Sequence, residues 1–151
     1  LKDYKALVLG GKASELGVEV VRTKRDRLWI RFHSRADEAG LFLRYVQSLY
    51  SVGARIQEAY VQTFSDWGVY DWFFVSSSKP LPAIKKLIEM RLKVAGEEGS
   101  EPVQAPAVRF ERVDLVRADG DRAILSFRGE DQKGALLSAV SALHAADLSI
   151  E

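Results

Sequence analysis

Residues 30–57 read IRFHSRADEAGLFLRYVQSLYSVGARIQ, and residues 124–151 read ILSFRGEDQKGALLSAVSALHAADLSIE. Set 94 positions apart, the two stretches align without a gap and agree at seven of 28 positions. The pairs are Ile30/Ile124, Asp37/Asp131, Gly40/Gly134, Leu43/Leu137, Val46/Val140, Leu49/Leu143 and Ile56/Ile150. Gly40, Leu43, Val46 and Leu49 recur every third residue, and with Phe42, Tyr45 and Val52 among them they mark the apolar face of a short helix. A repeat fixes architecture where local propensity leaves it open. Each copy therefore reads as strand, loop, helix, strand.

Outward from the first copy, residues 28–32 alternate apolar and polar side chains as a half-buried strand does. Residues 33–39 form a loop, the helix runs roughly over 40–52, and Gly53 suits its C-terminal stop. A strand over 55–64, a turn at Ser65-Asp66-Trp67-Gly68 and a strand over 69–75 make a hairpin. Ser76-Ser77-Ser78-Lys79-Pro80 ends it, and a second amphipathic helix spans about 81–94. Residues 96–106 have linker composition. A strand over 107–116, a turn at Arg117-Ala118-Asp119-Gly120 and a strand over 121–127 open the second copy. The first copy is likewise preceded by a strand, 18–23, turned back at 24–27. The order β-α-β-β-α-β predicts a ferredoxin-like α+β sandwich, with an antiparallel sheet carrying its helices on one face. The expected organisation is a linker or tail of a preceding domain over 1–17, a first module over 18–116 and the start of an incomplete second one over 117–151.

Composition bounds what such a chain does. Of 151 residues, 47% are hydrophobic and 28% charged, enough for a sizeable core but only one or two small domains. Twenty-two Lys and Arg against twenty-one Asp and Glu leave a formal charge of +1, too balanced for a polyanion as main partner. With no Cys there is no disulfide framework, thiolate nucleophile or cysteine metal site, and a reducing, cytoplasmic setting is expected. No apolar run approaches the ~18–20 residues of a membrane span, and no signal-like segment opens the chain. A start at Leu1 and a stop just after Leu148-Ser149-Ile150 read as a fragment.

Catalytic candidates are thin. His33 falls at a strand end and His144 on the second copy's helix, each without a motif-placed Ser or Cys partner, so both are expected as partly exposed surface residues. No Gly-x-Ser-x-Gly frame surrounds Ser76–Ser78. Gly10-Gly11-Lys12 lacks the first glycine and the Ser or Thr of a phosphate loop. No His, Asp and Glu cluster has metal-ligand spacing. The reading is of no catalytic residue, no metal and no cofactor.

Both copies keep an acidic residue, two variable positions and a glycine at the strand-to-helix junction: Asp37-Glu38-Ala39-Gly40 and Asp131-Gln132-Lys133-Gly134. A glycine admits close backbone approach, and the first free N–H groups of a helix are anion donors, so a bound carboxylate would suit the loop. The alternative is that Asp37 and Asp131 cap their helices and the glycines serve the turn alone.

The stretch Asp37-Glu38-Ala39-Gly40-Leu41-Phe42, the helix ending at Gly53, and Ala54-Arg55-Ile56-Gln57-Glu58-Ala59-Tyr60-Val61 resemble the ACT domain pattern. That pattern is Asp, Arg, Pro, Gly, Leu, Phe, a helix, then Ile, an acidic residue and Ala. Together with Gly68-Val69-Tyr70-Asp71-Trp72-Phe73-Phe74-Val75 and the spacing of the copies, the chain is most similar to the tandem ACT region of bifunctional PII uridylyltransferase and uridylyl-removing enzymes. Glu38 and Ala39 stand where Arg and Pro are usual, as do Gln132 and Lys133 in the second copy.

The resemblance implies a regulatory part of a nitrogen-control nucleotidyltransferase, without chemistry of its own, that senses an amino acid, glutamine favoured. ACT modules bind such ligands between the first strand-to-helix loop of one module and the second strand of a partner module. The contacts so implied are Asp37, Glu38, Ala39, Gly40 and Leu41, with Ile56 and Gln57 on the facing strand. In the second copy they are Asp131, Gln132, Lys133, Gly134 and Ala135. Implied partners are a paired ACT module, the catalytic domains of the same polypeptide and the PII protein.

Two rivals remain at this level. Tyr70, Trp72 and Phe74 share one face of a strand, as base-stacking aromatics do in an RNA-binding sheet. The strand lacks the basic and glycine positions of that motif, and burial between two sheets or modules is the expected fate of the three rings. A ligand-free dimerisation or assembly module is the other rival.

Overall fold

Side chains alternate across a strand, so Leu28, Ile30 and Phe32 fall on one side, and all three are fully buried. They belong to β2 in the computed structural model of the chain, which describes residues 16–64, 68–95 and 103–150. Strands β1 (Leu16–Lys24) and β2 (Arg27–Ser34) form a hairpin, followed by helix α1 (Leu41–Ser51). Next come β3 (Arg55–Phe64), β4 (Gly68–Ser76) and helix α2 (Leu81–Ala95). A second hairpin, β5 (Arg112–Asp119) and β6 (Arg122–Arg128), leads to α3 (Ala135–Ala145).

The described residues form an α+β structure, with antiparallel sheets and three helices. A four-stranded sheet has the order β1-β2-β4-β3, and every neighbouring pair in it is antiparallel. Its inner face, built from Leu28, Ile30 and Phe32 of β2 and Val69, Phe73 and Val75 of β4, carries α1 and α2. α1 buries Leu41, Tyr45, Val46 and Leu49 there, and α2 adds Ile84, Ile88 and Leu92. Each such side chain contributes about 1.5–3 kcal/mol by leaving water. Phe32 stacks on Tyr45 at 4.3 Å and meets Phe73 edge-on at 5.5 Å.

The spatial arrangement is compatible with a ferredoxin-like fold, but the chain order differs from the expected β-α-β-β-α-β. The place beside β2 is taken by β1, which precedes it, so the unit reads β-β-α-β-β-α. The strand after α2 does not return to this sheet. β5 pairs with β6 as β1 pairs with β2, so each repeat opens with an extra strand paired to its first, as the two turned-back strands lead one to expect, although the expected first module ran to residue 116. β5 also begins and ends later than the expected 107–116, because Gly120 at φ 60 supplies the tight turn and Arg117, Ala118 and Asp119 stay paired with β6. Leu16 and Gly17 lie in β1 rather than in a linker. Residues 1–15, with Gly10-Gly11-Lys12, most of the turn after β3 and residues 96–102 of the expected 96–106 linker lie outside the described residues.

α1 and α3 occupy equivalent positions to the residue, 94 apart at both ends. Gly40 and Gly134 precede them at φ 81 and φ 88. Both helices close the same way. Gly53 N–H donates to Tyr50 and Ala54 N–H to Leu49, while Asp147 N–H donates to His144 and Leu148 N–H to Leu143. This paired closure needs a left-handed residue after the helix, filled by Gly53 at φ 80 in one copy and by Asp147 at φ 57 in the other. α3 lies against α1, and Leu137 joins the core of the first unit.

The aromatic stripe is not buried between modules. Trp72 and Phe74 are half-buried on the sheet face away from the helices, beside Trp29, which lies 6.4 Å from Trp72 and 4.9 Å from Phe74. Arg31, held by Glu19 at 2.5 Å, lies 5.3 Å from the centre of the Trp72 ring. Only Tyr70 is buried. The second repeat meets the first through α1, which leaves that face with its own side chains as cover among the described residues.

Candidate functional site

The two strand-to-helix loops are built alike. Leu41 N–H donates to Glu38 and Arg44 N–H to Gly40; the second copy repeats this from Ala135 to Gln132 and from Ser138 to Gly134. Gly40 and Gly134 occupy the capping positions in the left-handed region, and no side chain caps either helix. The capping roles considered for Asp37 and Asp131 are therefore not realised: each sits three residues before its cap. A helix without a side-chain cap turns its first N–H groups to whatever fills the space ahead.

Each loop faces the other repeat. Asp37, Glu38, Ala39, Gly40 and Leu41 line a cavity of about 120 Å³, closed on the far side by His144 and by Asp147 to Ile150, which follow α3. Asp131, Gln132, Lys133, Gly134 and Ala135 line one of about 50 Å³, closed by Tyr50, Ala54, Arg55 and Ile56, which end and follow α1. His144 is the 94-residue counterpart of Tyr50, and Ile150 of Ile56. The glycines show how close the approach is. A Cβ on Gly40 would stand 3.0 Å from His144 Cε1, and one on Gly134 would stand 2.8 Å from Tyr50 Cε2 and collide with the Pro106 ring. The repeats are thus paired reciprocally, loop to post-helix segment.

This pairing redistributes the expected contacts. Ile56 joins the second loop, not the first, and the first loop faces Leu148, Ser149 and Ile150 instead. Gln57 lines neither cavity: the β3–β4 register skips it between Ile56 and Glu58, and its side chain is exposed. Asp131 is engaged by Arg55 at 2.5 Å across the smaller cavity, an exposed pair worth little in stability but one that occupies the carboxylate. Lys133 lies 5.7 Å from the centre of the Tyr50 ring.

One residue was missed from sequence. Asp71 lines the larger cavity from β4 and is 1% exposed. Gln62 N–H approaches its Oδ1 at 3.4 Å, while Oδ2 has no hydrogen-bond partner among the described residues. Burial pushes its carboxyl up to about 7; the Gln62 N–H opposes this and the nearby Asp37 charge adds to it. Burial and the Asp71 charge also raise the Tyr45 phenol above its ordinary value, and the Tyr45 hydroxyl is likewise unpartnered among the described residues. The signal was present in the sequence. Val69, Phe73 and Val75 are inward positions of one strand, and a carboxylate at the fourth such position is out of pattern.

His33 is half-buried against Gly17, where no Cβ would fit beside its ring. Burial, with Arg31 next, lowers its pKa, and Glu19 opposes this. It lines neither cavity. His144 is exposed at residue level, yet its ring closes the larger cavity. Among the described residues no group of His, Asp and Glu could hold a metal ion, and no helix is long and apolar enough to cross a membrane. No protein-family model matches the chain, nor does any curated protein or solved structure.

Proposed function

We propose that the chain is a pair of ACT-like regulatory repeats that binds an amino acid, glutamine favoured, in the larger of its two inter-repeat cavities. On this reading it reports nitrogen status to the catalytic domains of a PII uridylyltransferase-like enzyme and performs no chemistry itself. One observation carries the reading: each strand-to-helix loop meets the segment that follows the other repeat's helix, so a ligand there touches both repeats at once. The larger cavity has roughly ten times the ~10–15 Å³ that admits one water, a small-molecule volume. The uncapped start of α1 would receive the ligand carboxylate through backbone N–H groups. A ligand that contacts both repeats in one arrangement, and fewer groups in another, shifts the balance by that difference in affinity alone.

The test is a thermal-shift screen of the chain against the twenty amino acids singly, followed by titration calorimetry of any that stabilise it. Selective saturable binding of glutamine is the expected outcome. A folded chain that binds none of them removes the sensor reading. A ligand-free pairing module is the second reading, and the Arg55–Asp131 ion pair across the smaller cavity favours it for that half of the junction.

A further inference from the structure

The larger cavity is rich in acids. Asp37 and Glu38 come from the loop, Asp71 from β4 and Asp147 from the second repeat, against the single imidazole of His144. Three of these carboxylates have water at hand, since Asp37, Glu38 and Asp147 are exposed, and Glu38 also lies 3.9 Å from Arg44. Asp71 differs: it is buried, with one oxygen unanswered. Among the described residues, the elements packed on it bring no Lys or Arg into the cavity lining. β3 offers the Gln62 N–H, β2 places Phe32 opposite in register, α1 adds the Tyr45 phenol, and the loop adds Asp37 and Glu38. The second repeat adds His144 and Asp147 on the far wall. A buried acceptor without a partner is costly, and here a donor arriving with the ligand would answer it.

We propose that the Asp71 carboxylate, at the floor of the cavity under the first strand-to-helix loop, receives the protonated amine of the bound ligand and so selects α-amino acids over the same acids without the amine. The proposal rests on the amino-acid reading above and deepens it: the exposed Asp37, which motif spacing put forward, is not the receptor. Carboxylate recognition at the uncapped α1 terminus and amine recognition at Asp71 divide a zwitterion between two walls. A site built to answer a donor rejects the analogue that lacks it, because its buried acceptor is then left unpaired.

The discriminating pair is L-glutamine and its deaminated analogue 4-carbamoylbutanoic acid, titrated calorimetrically into the wild type, Asp71→Asn and His144→Gln between pH 5 and 8. In the wild type at pH 8 glutamine binds at least about a hundredfold more tightly than the analogue. Its affinity falls by up to about tenfold per pH unit once Asp71 takes up a proton below neutrality. Free glutamine keeps its ammonium over this range. Asp71→Asn binds the two ligands within a few-fold of each other with a flat profile, whereas His144→Gln keeps the wild-type slope, which assigns the proton to Asp71 rather than to the imidazole. Undiminished preference for glutamine in a folded Asp71→Asn, or a flat wild-type profile, overturns the assignment and leaves the amino-acid reading standing. A folded wild type that binds no amino acid overturns both. Should Asp71→Asn fail to fold, the wild-type ligand pair and the two pH profiles decide alone.

Discussion

At the residue scale, four left-handed positions share one backbone strain and differ in what surrounds them. Gly53 has open space around a would-be Cβ, Gly40 has the His144 ring and Gly134 has Tyr50 and Pro106. Replacing each by Ala should cost about 1 kcal/mol at Gly53, more at Gly40 and most at Gly134, read as an ordered fall in urea midpoints. The fourth position is Asp147, which holds φ 57 where the first repeat has Gly53. Asp147→Gly should therefore raise stability by about 0.5–1 kcal/mol; a loss would mean that its carboxylate supports the junction. Asp71 makes stability depend on pH. Its carboxyl is pushed up to about 7 in the fold from an ordinary 3.8, so the folded chain binds the extra proton between these values. The Asp71 contribution to stability is thus greatest below about pH 4, falls as pH rises toward 7 and is level above it, by an amount on the order of 4 kcal/mol. Asp71→Asn should lose that slope and exceed the wild type in stability at pH 8, measured by denaturant unfolding at several pH values. The glycines at the helix starts and at Gly53 were legible in sequence, because left-handed turns leave a residue signature. The buried Asp71, with its Oδ2 unanswered among the described residues, was not read, although its place in the alternation marked it.

At the element scale, α1 and α3 do most of the joining. Leu137 of α3 is 1% exposed within the core of the first unit, so Leu137→Ala should cost about 2–5 kcal/mol. Its mark would be a loss of amide protection in α3 that exceeds the loss in β2 and β4, followed by hydrogen exchange. α1 was readable to within a residue at either end, because a 3.6-residue apolar stripe and a glycine stop are properties of adjacent residues. The limits of β5 were not. Leu115 and Val116 suit any strand, and where the strand ends depends on its register with β6 and on the bulge between Leu115 and Arg117.

For the whole molecule, the two hairpins have unequal cover. Ile30 is fully buried beneath the helices, whereas its counterpart Ile124 is 57% exposed and Val113, Leu115 and Val116 stand open with it. Two strands alone are marginal in water. The amides of β5 and β6 should then exchange orders of magnitude faster than those of β2 and β4, in a native-state hydrogen-exchange series. Equal protection of both hairpins would contradict the difference in burial. On that expectation the second hairpin is the soft end of the described structure and α1 with its sheet the rigid end, while the larger cavity is lined by the α1 side and the end of α3 and by no residue of the second hairpin.

By itself the sequence determined the 94-residue repeat, the three helices, β3 and the glycine-led loops, since each is written in contacts between near neighbours along the chain. It did not determine that the strand after α2 leaves the first sheet, that each loop faces the opposite repeat or that Gln57 bulges out of register. Nor did it show that Asp71 is buried with an oxygen unanswered. Those were decided by tertiary structure, because strand partners, facing surfaces and burial depend on which distant segments pack together, and the same local pattern is compatible with several such packings.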